Sequence, residues 1–549
     1  MPVHFVHPPD GARLRGAGGG SGGGHPGEGL RALQEAPPRG PRPVNAAALE
    51  SSLGELLIVG FPGTEFTAEA RERLMRVRPS GVIFFAANFG DADQAAGITR
   101  SVHETIGAPE LPALVCADEE GGMVSQISGF WEVPPSARAV ASSGGPPLVK
   151  DLAQRTARRL LALGINLTFA PVLDVDSNPA NPVIGIRSFG SSVSQVTACG
   201  RAAVEGVLAT GAIPVVKHFP GHGDTSQDSH VALPTVTADR ARMDLRELRP
   251  FEAAVNWGAP VVMTAHVLVP AFEPDPTRPA TISRRVVTDL LRGRMKFDGV
   301  VITDALEMAG VTSIAPYGEI AVRAIEAGCD LLLYSRPSPG PEEALTALRE
   351  ALRSGRLSEE RVQASLSRIR TLRAASAARP HPWSDSLERE ARQLVPPEEL
   401  DRIAEGAIRM LKQGAGGIPL RNPIDVLEVN RPASRAGIAD LLRAHGMTAR
   451  EVGPDDSTWP RRIEGTALLT LAARASLSPE DEATARAWLR RYPETVAVAS
   501  LNPHVADGWA EVRTLLATFD NTPASRRALA RRLAGATDPA KSRRAPRAR

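Results

Sequence analysis

Residues Ala212-Ile-Pro-Val-Val-Lys-His-Phe-Pro-Gly-His-Gly-Asp-Thr-Ser-Gln-Asp-Ser-His230 decide how the rest of the chain is read. Ile213 to Val216 is an apolar, β-branched run with the length of a short buried strand. The run ends at Lys217 and His218, and Pro220-Gly221 predicts a loop, since neither residue continues a ladder. Into that loop the sequence packs His222, Asp224, Asp228 and His230. Titratable groups crowded at one strand end make a poor core and a good site. Three readings compete. One is a solvated polar loop. Another is a zinc site on His218, His222 and His230, which no metal-ligand spacing supports. The third is acid–base chemistry by Asp228 and His230, a carboxylate fixing an imidazole, with Lys217 and His218 holding a polar substrate.

Outward from this strand the chain alternates. Strand-like runs fall at Leu56–Phe61, Gly81–Ala86, Ala113–Ala117, Ile165–Ala170, Ile213–Val216, Pro260–Ala265, Gly299–Thr303 and Asp330–Tyr334. Between them lie helical patterns such as Thr67–Val77, Ala92–Ile106, Val193–Thr210 and Glu319–Ala327. Such alternation predicts an α/β fold, a (β/α)8 barrel, with a doubly wound open sheet as the alternative. A barrel demands its chemistry just after the strands, and the sequence puts Asp118, Asp174, Asp176, Lys217, His218, His266 and Asp304 there. Asp304 ends an apolar run as a single carboxylate; helix capping is the plainer account of such a residue, and Glu307 is a rival.

Composition excludes several classes. Lys+Arg 64 against Asp+Glu 62 leaves a near-neutral chain, which implies no nucleic-acid partner. No apolar run is long enough to span a bilayer, so no membrane partner is expected. Cys116, Cys199 and Cys329 are odd in number and sit in apolar or helical contexts, as free thiols in a reducing compartment do. The Gly/Pro/Arg-rich N-terminus lacks a signal peptide's apolar core, and the expected localisation is cytoplasmic.

Residues 1–45, rich in glycine and proline, are expected to be disordered. The barrel is expected at 46–375, a linker at 376–400, a small α/β sandwich of about four strands at 401–538, and a basic disordered tail at 539–549. Within the sandwich a helix is predicted at Leu400–Leu411 and strands at Asp425–Val429, Ala467–Leu471, Thr495–Ser500 and Thr514–Phe519. No acidic motif there reads as catalytic, so packing or dimerisation is its expected role, and the oligomeric state stays open.

Lys217-His-Phe-Pro-Gly-His-Gly-Asp224 followed by Asp228-Ser-His230 resembles the signature of the β-N-acetylglucosaminidases of glycoside hydrolase family 3. Ile302-Thr-Asp-Ala-Leu-Glu-Met308 resembles the family's nucleophile segment, Ala117-Asp-Glu-Glu-Gly-Gly122 its Asp-Gln-Glu-Gly-Gly, and Ile184-Gly-Ile-Arg-Ser-Phe-Gly190 an arginine-bearing sugar-binding segment. Thr522-Pro-Ala-Ser-Arg-Arg-Ala-Leu resembles the closing helix of the second domain that some members carry. Met123 and Gln126 stand where the family carries arginines, a departure that falls on recognition beyond the first sugar.

The resemblance implies a retaining exo-β-N-acetylglucosaminidase. By it, Asp304 is the nucleophile, His230 the acid/base and Asp228 its partner; Asp118, Arg187, Lys217 and His218 bind sugar. The implied substrate is a terminal β-linked GlcNAc glycoside or muropeptide fragment, with no metal and no organic cofactor. A histidine acid/base suits the role because its ordinary pKa of ~6.5 lies near working pH. Two alternatives remain at this point: a phosphorylase, since a neutral histidine does not repel phosphate, and a catalytically silent sugar-binding barrel. Should the dyad fail, His222 with Asp224 is the next pair.

Overall fold

The computed structural model describes residues 46–227, 233–376, 385–414 and 417–536. Eight parallel strands make the first sheet: β1 Leu57–Gly60, β2 Gly81–Phe84, β3 Leu114–Ala117, β4 Leu167–Thr168, β5 Ile213–Phe219, β6 Val261–Thr264, β7 Val300–Ile302 and β8 Leu332–Tyr334. Their order is β7-β6-β5-β4-β3-β2-β1-β8, and a parallel bridge from Ile302 to Leu331 joins the two ends. That bridge decides between the two sheets the sequence allowed, and the sheet is a barrel.

Every strand is buried along its whole length, as parallel strands covered by helices must be. The helices begin where the sequence supplies caps. Thr67 Oγ1 accepts from the Ala70 N–H at the start of Ala68–Val77, and Asp91 accepts from the Gln94 N–H at the start of Ala92–Ile106. The helix Ala137–Ala162 is bent at Gly145, whose φ of 62° precedes Pro146 and Pro147.

The second sheet has six strands in the order β11-β10-β12-β13-β14-β9. They are β9 Arg409–Lys412, β10 Ile424–Val429, β11 Ala449–Val452, β12 Thr466–Leu471, β13 Val496–Ala499 and β14 Thr514–Ala517. Two were not expected. The helix foreseen to Leu411 stops at Ala407, and Arg-Met-Leu-Lys pairs antiparallel with β14 as an edge strand. All four residues are sound helix formers, so tertiary pairing overrides propensity here. β11 has too little apolar alternation, since Arg450 and Glu451 are exposed. The expected linker also holds helices, at Asp385–Leu394 and from Pro397 onward.

The second domain is docked by specific contacts. Ala407, Leu501, Ala517 and Phe519 pack with Ala139, Ile186 and Met123 of the barrel. Arg527 binds Glu132 of the barrel at 3.0 and 2.8 Å while also binding Asp401. Asn502, just beyond β13, donates to the Pro179 carbonyl at 3.0 Å. The C-terminal ends of β13 and β14 therefore meet the loops at the C-terminal end of the barrel.

Candidate active site

At the C-terminal end of the barrel lies a pocket of about 860 Å³. Asp118, Arg187, Lys217, His218 and Asp304 all line it, so five residues singled out from the sequence converge. The strands do the placing: Asp118 follows β3, Lys217 and His218 lie in β5, and Asp304 follows β7. β5 runs on to Phe219, further than the sequence suggested.

The floor is a lattice of paired charges. Lys217 Nζ is 2.6 Å from Asp118 Oδ1 and 2.7 Å from Glu120 Oε1. Glu120 also takes two 2.8 Å hydrogen bonds from Arg187, whose third donor reaches the Val183 carbonyl. Burial alone would raise the Glu120 carboxyl, yet Arg187 and Lys217 outweigh it and hold it far below the carboxylate range. Burial likewise opposes the Lys217 charge, and Asp118 and Glu120 more than restore it. Lys217 and Arg187 keep N–H groups beyond those used here, a set able to bind hydroxyls. Glu120 was missed as a site residue, although it sits in the quoted Asp-Glu-Glu-Gly-Gly.

His218 is oriented by Asp174, a fully buried carboxylate after β4. The His218 Nδ1 lies 2.7 Å from Asp174 Oδ2, and Asp174 Oδ1 accepts the His222 N–H at 2.7 Å. With Nδ1 committed, Nε2 is the nitrogen left for a ligand. Asp174 also anchors the loop, whose glycines are required. A Cβ on Gly223 would lie 1.7 Å from the Val175 carbonyl oxygen, and Gly221 has φ 121°. Asp176, by contrast, turns away to Arg138 at 3.1 Å.

Asp304 is held without being saturated. Its Oδ1 accepts the Ala305 N–H at 2.7 Å, and Oδ2 accepts no hydrogen bond among the described residues. Burial works to raise its pKa; His266, His218, the Ala305 N–H and Lys217 together outweigh this and lower it. His266 stands behind, with Nδ1 2.8 Å from Thr281 Oγ1 and Nε2–H donating to the Ala305 carbonyl. An ionised carboxylate with a free oxygen facing a pocket is the state of a nucleophile. The rival Glu307 also lines the pocket, but Ser335 Oγ and the Arg336 N–H both bond its Oε1, and burial raises its pKa.

His222 and Asp224 do not form a pair. His222 Nδ1 lies 2.8 Å from Thr225 Oγ1, and burial lowers its pKa to about 4, leaving the ring neutral. Asp224 faces Arg242 and Arg246 at 3.7 and 3.4 Å. Asp228 and His230 lie outside the described residues. Of the two positions where the resemblance departs, Gln126 joins the β2 and β3 ends through the Ala86 N–H and the Asp118 carbonyl. Met123 lines the pocket where the second domain packs. One lining residue, Arg474, comes from the second domain, and nothing in the sequence pointed to it.

Among known proteins, residues 48–372 match the family described as "Glycosyl hydrolase family 3 N terminal domain". A β-hexosaminidase of Methylococcus capsulatus is 34% identical over 330 residues, 60% of this chain and 96% of its own length. The β-hexosaminidase A of Pseudoalteromonas piscicida is 33% identical over 56% of each chain, so this chain spans about half of that relative. Among solved structures, a glycoside hydrolase family 3 β-N-acetylglucosaminidase from Paenibacillus sp. superposes with a TM-score of 0.79 at 33% identity, covering 89% of this chain and 96% of its own. The family model spans the whole barrel that carries the pocket, and the chain belongs to glycosyl hydrolase family 3.

Proposed function

We propose that the chain is a retaining exo-acting β-N-acetylglucosaminidase that removes terminal β-linked GlcNAc. The observation that carries this reading is Asp304, ionised and with Oδ2 accepting no hydrogen bond among the described residues, on the floor of a pocket lined by Asp118, Lys217, Arg187 and His218. Its support among relatives is their description as β-hexosaminidases and a β-N-acetylglucosaminidase. In the first step Asp304 bonds to the anomeric carbon as the glycosidic C–O bond breaks, and the imidazolium of His230 gives its proton to the leaving oxygen. In the second, neutral His230 takes a proton from water as that water displaces Asp304. Asp228 orients the ring and favours its charged form. Asp118, Lys217, Arg187 and His218 hold the sugar hydroxyls, whose hydrogen bonds strengthen as positive charge develops on the ring.

The finer reading is a muropeptide fragment processed in the cytoplasm. Cys116, Cys199 and Cys329 are free and buried, which supports a reducing compartment. Among the described residues no helix is long and apolar enough to cross a membrane.

The test is turnover of p-nitrophenyl-β-GlcNAc, with and without inorganic phosphate, followed by NMR of the first-formed sugar. Free GlcNAc released first as the β-anomer is the expected product. GlcNAc 1-phosphate would instead make the enzyme a phosphorylase, α-GlcNAc would make it inverting, and sugar binding without turnover would leave a silent barrel.

A further inference from the structure

We infer that the second domain completes the active site: Arg474, together with Arg336 of the barrel, forms a cationic rim that selects leaving groups carrying a carboxylate. This rests on the glycosidase reading above and extends it to the far side of the scissile bond.

The pocket changes character with depth. Lys217, His218 and His222 on its floor are buried, and Lys217 and Arg187 are neutralised by Asp118 and Glu120. Arg336 and Arg474 are exposed residues of the same lining, and among the described residues neither guanidinium has a hydrogen bond or an ion-pair partner. Near Arg336 the Glu307 carboxylate bonds the Ser335 hydroxyl and the Arg336 backbone N–H. Its guanidinium remains available. In an exo-acting enzyme the terminal sugar fills the floor and the leaving group extends to the rim, so the rim reads the leaving group. Two uncompensated guanidiniums there suit a carboxylate, which an arginine fork binds in bidentate geometry.

Arg474 is positioned rather than merely present. It follows β12, whose neighbour β10 starts the sheet's reversal of order, and open α/β sheets bind ligands at the C-terminal strand ends beside such a reversal. Its loop is pinned by Asn502, whose Nδ2 donates to the Ala475 carbonyl at 2.7 Å and to the barrel's Pro179 carbonyl at 3.0 Å. The Asn502 backbone N–H also donates to the Ala473 carbonyl at 3.0 Å. One buried asparagine, through its side-chain amide and its backbone N–H, therefore holds the loop on both sides of Arg474 and ties it to the barrel. On the barrel side, a Cβ on Gly185 would lie 3.9 Å from the Arg474 carbonyl oxygen, two residues before Arg187.

The experiment compares kcat/KM for the disaccharide GlcNAc-β-1,4-MurNAc with that for its lactyl methyl ester, which share a leaving sugar and differ in one charge. The wild type should prefer the acid, and added salt should weaken that preference. Arg474→Ala should lower the acid-to-ester ratio roughly five- to tenfold, mainly through KM, with Arg474→Lys keeping part of it. Arg336→Ala should act in the same direction. A ratio unmoved in both alanine variants, or acid and ester falling by the same factor, overturns the inference while glycosidase activity stands. If the wild type cleaves neither disaccharide nor p-nitrophenyl-β-GlcNAc, the glycosidase reading fails and this inference with it.

Discussion

Two aspartates on neighbouring strands show how differently the two ends of one barrel are built. Asp330, at the N-terminal end of β8, is fully buried and saturated. Its Oδ1 accepts from Ser365 Oγ at 2.7 Å, and its Oδ2 takes Arg292 and the Val301 N–H. Arg361 and Arg368 approach at 3.4 Å as well. Among the described residues, Asp304, at the C-terminal end of β7, has one hydrogen bond, to Oδ1, and its Oδ2 accepts none; it lines the pocket. A carboxylate with every lone pair occupied serves the fold. A carboxylate kept ionised by its surroundings, yet left open on one side, is reserved for a ligand.

The comparison breaks most visibly on Asp304→Ala. Loss of a nucleophile should reduce kcat by roughly 10⁴- to 10⁶-fold while the melting temperature barely moves. Azide or formate should restore part of the turnover by taking the vacated place. A variant retaining a tenth of wild-type activity would transfer the role to Glu307. Asp330→Ala should do the reverse. Stranding Arg292 without its buried partner should cost about 3–5 kcal/mol in denaturant unfolding, and activity per folded molecule should be kept. Equal losses of stability in the two variants would erase the distinction between the ends.

A smaller effect sharpens the account at Glu119, one residue before Glu120 and opposite to it in electrostatics. Burial raises its pKa to about 7, only partly offset by the Gln126 N–H, the Ser125 hydroxyl and Arg159. A carboxyl whose folded pKa lies above its unfolded value contributes stability that is full below ~4.3 and lost as pH rises toward 7. Glu119→Gln should therefore match the wild type near pH 4 and exceed it by about 3–4 kcal/mol at pH 8. Unfolding curves at the two pH values decide it, and a gain confined to low pH would contradict the sign.

Much of the barrel was legible because a parallel strand buried on both faces must be an apolar run, and each of the eight runs overlaps one strand, β5 alone extending past its run to Phe219. What periodicity could not give was closure, which rests on β8 pairing with β1, at the other end of the barrel sequence, and bridging to β7. Of the five candidate residues that line the pocket, Asp118, Lys217, His218 and Asp304 were legible because they sit where apolar runs stop, and Arg187 only through the resemblance of its segment. Their partners were not. Asp174 earns its place through a hydrogen bond to a residue 44 positions away, and Glu120 through Arg187, 67 positions away. Arg474 was out of reach, because a loop of Ala, Arg and Ser after a strand carries no local sign of what it faces. β9 was misread for the same reason: Arg409–Lys412 is helical by propensity and extended only because β14 lies beside it.

The most direct measurement is to trap the glycosyl-enzyme. A 5-fluoro-GlcNAc fluoride slows both steps but leaves the fluoride a good leaving group, so the covalent adduct accumulates. Peptide mass mapping of the labelled protein should place one N-acetylhexosamine derivative on the peptide containing Asp304, and Asp304→Ala should take up none. A label on Glu307, or complete turnover with no adduct in either protein, would contradict the assignment of Asp304.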